Sequence, residues 1–460
     1  MFASRALAGL AGMLVLAGCS FDIGKTLDFG DTLGLGDSSR SGALVVGDEP
    51  FAVKVGASTL MQGGNAADAA AAMYFALAVT YPVAAGLGGG GICIVHDPAG
   101  NRNEEFDFLA RDSRGGGVYA VPGNVRGFAA MQGSYGVLPW QKVVSPAEMY
   151  ARTGFSISQA LANRLAAAGD VVRLDAGLAH EFMDESGHAK PAGGMADTPD
   201  LAQTLAAIRT QGADAFYAGP VANAVVAYSS AEGGGIDRVE LGAYKVRRGP
   251  PRTMQLGSDY VFLPGPGTGA GAFAGALLDN VARAQSTPTG AKDPQAAVVY
   301  AVQQTLRDFH LTELPRDLGA TGFAAVDAKG QAVACAVTMN GPFGSGHTAL
   351  GTGVTLARAP SSGAVGLAAA FLTPIIASPS ANGAPSLAGA GAGGPNGSAS
   401  IAYALARIAR GDEIPTRNDL HSTGVAPYNT VNAIVCSGSA CAALPDPAAS
   451  GLGMAVPFKE

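Results

Sequence analysis

A long helix-rich stretch lies between two strand-rich parts of the chain, and this order constrains the fold more than any other feature. Apolar residues recur at helical spacing through most of residues 124–230. Short apolar runs typical of buried strands occur before this stretch, at 92–96, and after it, at 323–337. Single strands do not alternate strictly with single helices, as they do in parallel α/β proteins. The sequence therefore predicts an α+β fold in which helices cover a sheet.

One hairpin and one helix are predicted in detail. The apolar runs Phe323–Val326 and Gln331–Val337 flank Asp327-Ala-Lys-Gly330. Asp and Gly favour a tight turn, so the segment predicts a β-hairpin. The alanine-rich segment Ala66–Val79 predicts a helix that is buried over much of its surface.

Composition and charge exclude several classes of function. With 48% hydrophobic and 14% charged residues, the chain is expected to fold around an ample core. A net charge of −7 provides no basic stripe for nucleic acid. Gly86-x-Gly88-x-x-Gly91 matches a dinucleotide fingerprint but follows a predicted helix and precedes a strand, the reverse of the required order. The six histidines lack ligand spacing, so neither a cofactor nor a metal is expected.

The N-terminus is predicted to be a targeting segment. Arg5 precedes the short apolar run Leu7–Leu16, which ends in Leu16-Ala-Gly-Cys19 and resembles a bacterial lipoprotein signal. Residues 1–19 would then be the signal, Cys19 would carry lipid, and the Gly-, Asp- and Ser-rich residues 20–42 would form a flexible tether. Ser20 is not an aspartate retention signal, which favours a periplasm-facing outer-membrane location over the inner membrane. An ordinary secretory signal is the alternative.

The remaining four cysteines form two pairs, and each pair has its own interpretation. Cys93 and Cys335 lie in apolar predicted strands and are interpreted as plain core residues. Cys436 and Cys441 are close enough to form a disulfide that closes a short loop in an oxidising compartment. Their spacing permits this bond without requiring it.

A series of collinear motifs resembles the γ-glutamyltranspeptidase family. They span about residues 43–456 and include Gly63-Gly-Asn-Ala-Ala-Asp-Ala-Ala70, Gly86–Gly91, Val121-Pro-Gly123, Tyr135-Gly-Val-Leu-Pro-Trp140, Phe216-Tyr-Ala-Gly219 and Asp446-Pro447. The resemblance implies a single body with a large-subunit-like part at 43–319 and a small-subunit-like part at 320–456. It also implies an N-terminal-nucleophile hydrolase fold, a four-layer αββα sandwich.

The resemblance implies a specific chemistry as well. In this family a precursor cuts itself before a threonine, whose hydroxyl is then the nucleophile and whose new amine is the base. The enzyme takes a γ-glutamyl group from glutathione-like donors and passes it to water or an amino acid. A γ-glutamyl or peptide-like small molecule is therefore the expected ligand, whereas the sequence identifies no protein partner.

At several positions the chain departs from the family pattern. The hairpin that opens with Thr-Thr-His in the family has Ala320 at the nucleophile position. The family arginine that binds the substrate carboxylate corresponds to Leu109, and Arg111, two residues on, is interpreted as a solvated side chain. The family serine pair corresponds to Ala370 and Phe371. These departures predict a poor site for a zwitterionic glutamyl group, which needs an opposite charge for each of its own.

Other parts of the family pattern are present. Gly393 and Gly394 occupy the place of the paired glycines whose backbone N–H groups form the oxyanion hole. Thr338 and Asn340 match polar residues that line the nucleophile pocket. The resemblance makes the Gly- and Ala-rich segment 378–397 a functional loop. These residues could equally persist for structural reasons, since turns need glycine and buried groups need hydrogen bonds.

Two hypotheses about function follow, and a function unrelated to this family is the remaining alternative. The first is a lipid-anchored envelope protein that keeps the fold and has impaired or lost γ-glutamyl transfer. The second is an active γ-glutamyltransferase, glutathione hydrolase or related amide hydrolase that uses Thr321 after self-cleavage. A shift of one residue along a strand turns the side chain to the opposite face, so the second hypothesis requires a local bulge.

Overall fold

The computed structural model describes residues 39–40, 42–312, 317–412, 415–417, 419, 429–438 and 440–457. The predicted signal with Cys19, and nearly all of the predicted tether, lie outside these residues. The helices are α1 (Pro50–Met61), α2 (Ala66–Thr80), α3 (Pro82–Ala85), α4 (Asn124–Tyr135), α5 (Trp140–Thr153), α6 (Gln159–Val172), α7 (Ala176–Phe182), α8 (Pro199–Gln211), α9 (Asp214–Ala218), α10 (Pro220–Ala231), α11 (Arg238–Gly242), α12 (Gly269–Gln285), α13 (Pro294–Asp308) and α14 (Pro395–Ile408), with a 3₁₀ helix at Ala364–Phe371.

Most strands belong to two large sheets. They are β1 (Ser39–Arg40), β2 (Ala43–Gly47), β3 (Gly90–Asp97), β4 (Arg102–Asp107), β5 (Arg111–Asp112), β6 (Ala120–Val121), β7 (Phe155–Ser156), β8 (Met195–Ala196), β9 (Arg247–Gly249), β10 (Arg252–Leu256), β11 (Asp259–Leu263), β12 (Ala320–Val326), β13 (Ala332–Thr338), β14 (Thr348–Ala349), β15 (Val354–Thr355), β16 (Thr373–Ser378), β17 (Leu387–Ala392), β18 (Thr430–Ser437), β19 (Ala440–Leu444) and β20 (Leu452–Val456).

The two large sheets have seven strands each. Sheet I has the order β1-β19-β18-β17-β16-β11-β10, and sheet II has the order β20-β2-β12-β13-β3-β4-β9. Neighbouring strands within each sheet are antiparallel. The hairpin predicted at 323–337 is β12–β13, at the centre of sheet II. It is longer than predicted, because the strands extend to the pair Ala320 and Thr338.

The sheets stack between two helical layers. Alternate residues of β12, such as Ala324, pack between the sheets against residues of sheet I such as Ala388 and Ile434. The intervening residues, such as Phe323, pack against the helices on the outside of sheet II. Helices α12, α13 and α14 cover the outside of sheet I. The molecule is therefore an α+β, four-layer αββα sandwich, as predicted.

The predicted alanine-rich helix is α2, and every residue of it is buried. Asn65 caps its N-terminus by accepting from the Asp68 N–H, while the Asp68 carboxylate accepts from the Asn65 N–H. This capping box satisfies two N–H groups that the helix itself leaves without partners. Small side chains allow α2 to pack closely between sheet II and its helical neighbours α1 and α5.

The prediction of a loop throughout residues 378–397 is wrong. The segment contains the central strand β17, paired with β16 on one side and β18 on the other. Its glycines suit this position because a Cβ at Gly389 would lie 2.6 Å from the carbonyl oxygen of Asn432. A Cβ at Gly391 would collide with Gly397 at the start of α14. Close backbone packing therefore explains a composition that resembles a loop.

Both cysteine pairs are joined in the structure. The interpretation of Cys93 and Cys335 as plain core residues is corrected: they are fully buried, stand directly opposite each other on β3 and β13, and form a disulfide. Their separation of 242 residues gave no local signal for this pairing. Cys436 and Cys441 are also opposite each other, on β18 and β19, and form the second disulfide.

Candidate functional site

Ala320, which is predicted to occupy the family nucleophile position, begins β12 and lies in a small apolar cluster between the two sheets. It is fully buried. The other buried members of the cluster are Ile92, Ala270, Ala336, Leu372, Ala390 and Ala392, and the half-buried Leu109 packs against it. The side chain therefore supplies a methyl group to an apolar contact, and no hydroxyl.

Thr321 follows Ala320 and is also fully buried. Side chains alternate along a strand, so Thr321 lies on the same face of β12 as Phe323, which packs against the helices. Its hydroxyl donates to the Asp48 carboxylate, with 2.6 Å between Oγ1 and Oδ2. Asn432 of sheet I donates to the other carboxylate oxygen at 2.7 Å. Asp48 thus fixes the residue immediately after the nucleophile position.

The residues immediately before Ala320 are held by a second buried group. The Arg164 guanidinium donates to the Asp317 carboxylate at 2.7 Å, and both side chains are largely buried. The same Asp317 oxygen accepts from the Gly319 N–H at 2.8 Å. The Gly319 carbonyl in turn accepts from the Met339 N–H at 2.9 Å and from the Thr338 hydroxyl at 3.0 Å. The backbone on both sides of Ala320 is therefore well anchored.

Thr338 and Asn340, the predicted pocket residues, both lie beside this segment. The Thr338 hydroxyl accepts from the Asn340 N–H at 2.9 Å. Asn340 has a φ of +55°, and its side-chain amide donates to the Arg358 carbonyl at 2.8 Å. Its buried side-chain oxygen has no hydrogen-bond partner among the described residues. Both residues make structural hydrogen bonds here, and Asn340 alone retains an unused acceptor.

Gly393 and Gly394, the predicted oxyanion residues, directly follow β17 and precede α14. Because Ala390 and Ala392 of β17 belong to the Ala320 cluster, the fold brings this turn to the same end of the site. Both glycines have positive φ, +82° and +153°, which is unfavourable for other residues. A Cβ at Gly394 would also collide with the Asn429 side chain. The backbone conformation of the turn is therefore a sufficient reason for both glycines.

The residues at and next to the positions that depart from the family pattern make contacts within the protein. Leu109 packs on the Ala320 cluster. The interpretation of Arg111 as a solvated side chain is corrected: it is half-buried, its guanidinium lies 4.6 Å from the centre of the Tyr244 ring, and it donates to the Lys245 carbonyl at 3.0 Å. Phe371 points into the outer helical layer, with its ring 4.8 Å from that of Phe273.

Two buried carboxyl groups give this region its electrostatic character. Burial raises the pKa of Asp48, an effect opposed by hydrogen bonds from Thr321 and Asn432. Burial and the nearby Asp48 charge raise the pKa of Asp446 to about 7. Asp446 accepts from the Val431 N–H at 2.9 Å and from the Ala448 N–H at 2.8 Å. Protonation of Asp446 therefore coincides with near-neutral pH.

We expect this raised pKa to make the folded chain less stable as the pH rises from about 4 to about 7. In that range the native Asp446 keeps a proton that the unfolded chain releases, so the fold contributes about 3 kcal/mol less at the upper end. Urea unfolding at several pH values measures the effect. Asp446→Asn should flatten the decline, whereas the exposed-site control Asp170→Asn should follow the wild type. Parallel curves for wild type and Asp446→Asn would refute the assignment.

The residues that anchor the segment around Ala320 from distant parts of the sequence were not predicted. No sequence motif marks these residues, which are Asp48, Arg164, Asp317 and Asn432. The hydrogen bond between Asp48 and Thr321 joins residues that are 273 positions apart in the sequence. The Asp48-Glu49 pair at the end of an apolar run was the only local signal, and Glu49 is explained by its hydrogen bond to the Ala52 N–H at the start of α1. Within the described residues, no three His, Cys, Asp or Glu side chains are arranged to hold a metal ion.

Comparison with known proteins extends these observations. The sequence profile of the family described as gamma-glutamyltranspeptidase matches residues 52–306. The glutathione hydrolase proenzyme of Pseudomonas aeruginosa is 34% identical over 258 residues, which cover 51% of this chain and 44% of that relative. The chain thus spans about half the length of the curated relatives it matches. Residue Ala320 lies beyond the matched profile.

Solved structures show likeness over a greater length. The cephalosporin acylase of Bacillus halodurans superposes with a TM-score of 0.69 at 18% identity, covering 92% of this chain and 97% of that one. At this identity the likeness shows the fold alone. The gamma-glutamyltranspeptidase of Helicobacter pylori has a TM-score of 0.52 at 27% identity, covering 57% of this chain and 81% of that one.

Proposed function

The chain belongs to the gamma-glutamyltranspeptidase family, and we propose that this member is a lipid-anchored envelope protein that has lost self-cleavage and γ-glutamyl transfer. The observation that carries the proposal is the methyl group of Ala320, buried in an apolar cluster at the position that the motif pattern assigns to the family nucleophile. Acyl transfer by this route requires a hydroxyl there, both to cut the chain and to form the acyl-enzyme. Ala320 can do neither.

The surroundings support loss of substrate binding as well. Leu109 extends the apolar cluster instead of offering a cation, and Phe371 is buried among helices instead of offering a hydroxyl. Arg111, the nearest cation to Leu109 in sequence, is engaged by Tyr244 and the Lys245 carbonyl. A carboxylate placed beside Ala320 would have no charged partner at any of these positions.

We expect wild-type protein to show no turnover of a γ-glutamyl-anilide, and Ala320→Thr to leave that result unchanged. The variant restores a hydroxyl but not the groups that bind the γ-glutamyl head, since Leu109, Ala370 and Phe371 remain. Anilide release, with an active family member as the positive control, measures both proteins. Wild-type turnover that Thr321→Ala abolishes would overturn the proposal.

The second candidate function is γ-glutamyl hydrolysis or related amide hydrolysis through Thr321. One observation favours it, the 2.6 Å hydrogen bond from the Thr321 hydroxyl to a carboxylate, because a carboxylate can accept a proton from a nucleophile. Against it, Thr321 and Asp48 are both fully buried, and Asp48 is also bonded to Asn432. The pair is thus better explained as a structural link between the sheets.

Envelope anchoring through Cys19 is a proposal that rests on the sequence. In the described part of the chain, no helix has the length and apolar character needed to cross a bilayer. We expect wild-type protein expressed in a bacterium to fractionate with membranes and to begin at a lipidated Cys19. Cys19→Ala should reduce the membrane-bound fraction several-fold, as measured by fractionation and mass spectrometry of the N-terminus. Equal membrane recovery of the two proteins would contradict lipidation.

A further inference from the structure

A cavity of about 610 Å³ opens in the helical layer outside sheet II, among α1, α5 and α8. The lining of this cavity is positively charged, whereas the whole chain has a negative net charge. Its charged lining residues are Lys54 of α1, Lys142, Glu148 and Arg152 of α5, and Arg209 of α8. Four cations and one carboxylate leave an excess of three positive charges, in a protein whose net charge is −7.

The single carboxylate in the cavity is already neutralised. Glu148 is 5% exposed, and its two oxygens are bound by the two arginines, Arg152 at 3.2 Å and Arg209 on the other oxygen. This arrangement fixes the guanidinium groups at the cavity wall. It leaves N–H groups of each arginine beyond those bonded to Glu148, because a guanidinium has five.

The two lysines add positive charge at the cavity rim, where the Lys54 Nζ also lies 5.4 Å from the centre of the Phe51 ring. Lys54 and Lys142 are exposed, and neither forms an ion pair with another described residue. Hydroxyl groups of Ser58, Ser145 and Tyr150 also line the cavity. A concave surface that combines guanidinium groups bonded to Glu148, ammonium groups without an anionic partner and hydroxyls is suited to oxygen atoms that share more than one negative charge.

We propose that this cavity binds a compact anion with two or more negative charges on a phosphate group, either free in solution or on a lipid head group. The arginines would take oxygen atoms in fixed directions, while the flexible lysines would complete the charge balance. The binding does not depend on Ala320 or on γ-glutamyl chemistry, so it would persist in a catalytically inactive chain.

Isothermal titration calorimetry with pyrophosphate tests the free-anion source. The full-length chain should bind pyrophosphate, and the double variant Lys54→Gln/Lys142→Gln should bind it at least about tenfold more weakly, because two charge-assisted contacts are lost. The matched control is Lys245→Gln/Lys292→Gln, which removes the same charge from exposed lysines elsewhere. Unchanged melting temperatures would show that all three proteins are folded.

Sedimentation with vesicles tests the lipid source. Phosphatidic acid, whose phosphomonoester can carry two negative charges, is added to phosphatidylcholine and compared with phosphatidylcholine alone, and every protein carries Cys19→Ala so that attached lipid cannot contribute. Pyrophosphate binding weakened only in the cavity variant supports a free anion. Vesicle binding weakened only in that variant supports a head group. Absence of binding in both arms, or equal weakening in the control variant, would overturn the proposal.

Discussion

Replacing Asp48 with alanine should lower the free energy of unfolding by about 3 kcal/mol, because it leaves two buried donors without an acceptor. These donors are the Thr321 hydroxyl and one N–H of the Asn432 amide, which lie 2.6 Å and 2.7 Å from the Asp48 carboxylate oxygens. The Asn432 amide keeps its second hydrogen bond, to the Gly322 carbonyl at 2.9 Å. The loss should be measurable by urea denaturation. It should exceed any relief from removing a buried carboxyl group, since the bond from Asn432 joins sheet I to Asp48, the residue that follows β2 of sheet II.

A double-mutant cycle separates this link from general destabilisation. Thr321→Val should cost less stability in the Asp48→Ala background than in the wild type, with a coupling energy of about 1 kcal/mol. Asp170→Ala is the matched control, because its side chain is fully exposed and should change stability by less than about 0.5 kcal/mol. Additive effects of Asp48→Ala and Thr321→Val would show that the hydrogen bond has no energetic role.

Replacing Arg164 with alanine should lower the free energy of unfolding by an equal or larger amount, about 3–5 kcal/mol. The reason is that the largely buried Asp317 carboxylate would lose its charged partner. The Arg164 guanidinium also lies 5.7 Å from the centre of the Tyr81 ring, so its packing is lost as well. Urea denaturation measures the change. Arg164→Met, which keeps much of the volume, should recover little of the loss, because the carboxylate would still lack its charged partner.

The control for this variant lies at the C-terminal end of the same helix. Arg173 pairs with Asp170 at 2.7 Å, but both side chains are exposed. Arg173→Ala should therefore lower stability by less than about 1 kcal/mol. A loss of similar size for Arg164→Ala and Arg173→Ala would contradict the assignment of a buried structural ion pair.

The two buried groups have a common position in the fold. Arg164 and Asp317 hold the residues before Ala320, and Asp48 holds the residue after it. This anchoring fixes the start of β12 whether or not the chain is catalytic. The αββα fold can therefore be retained with only a methyl group at position 320.

Local signals predicted the α+β class and single elements of the fold, whereas the four-layer sandwich was predicted from the family resemblance. Turn residues at Asp327 and Gly330 identified the central hairpin, and an alanine-rich run identified α2. The strand Leu387–Ala392 was missed because its small residues reflect close packing against α14 and β18, which no local pattern reports. The Cys93–Cys335 disulfide was missed for the same reason, since only the assembled sheet brings the two strands together.

The candidate site was predictable only where a family motif marked it. The motif pattern identified Gly393, Gly394, Thr338 and Asn340, and it located the alanine at 320. Whether those residues take part in any chemistry stays a prediction. The supporting residues Asp48 and Arg164 were not predictable, because hydrogen bonds between distant positions depend on how the layers pack.

The intact mass of the purified wild-type chain under denaturing conditions shows directly whether the chain cleaves itself. Self-cleavage in this family requires a hydroxyl on the residue after the cut bond, and Ala320 has none. We expect one polypeptide that spans both sides of Ala320 after prolonged incubation. Two fragments, with Thr321 at the new N-terminus of the smaller one, would contradict it and would assign the nucleophile to Thr321.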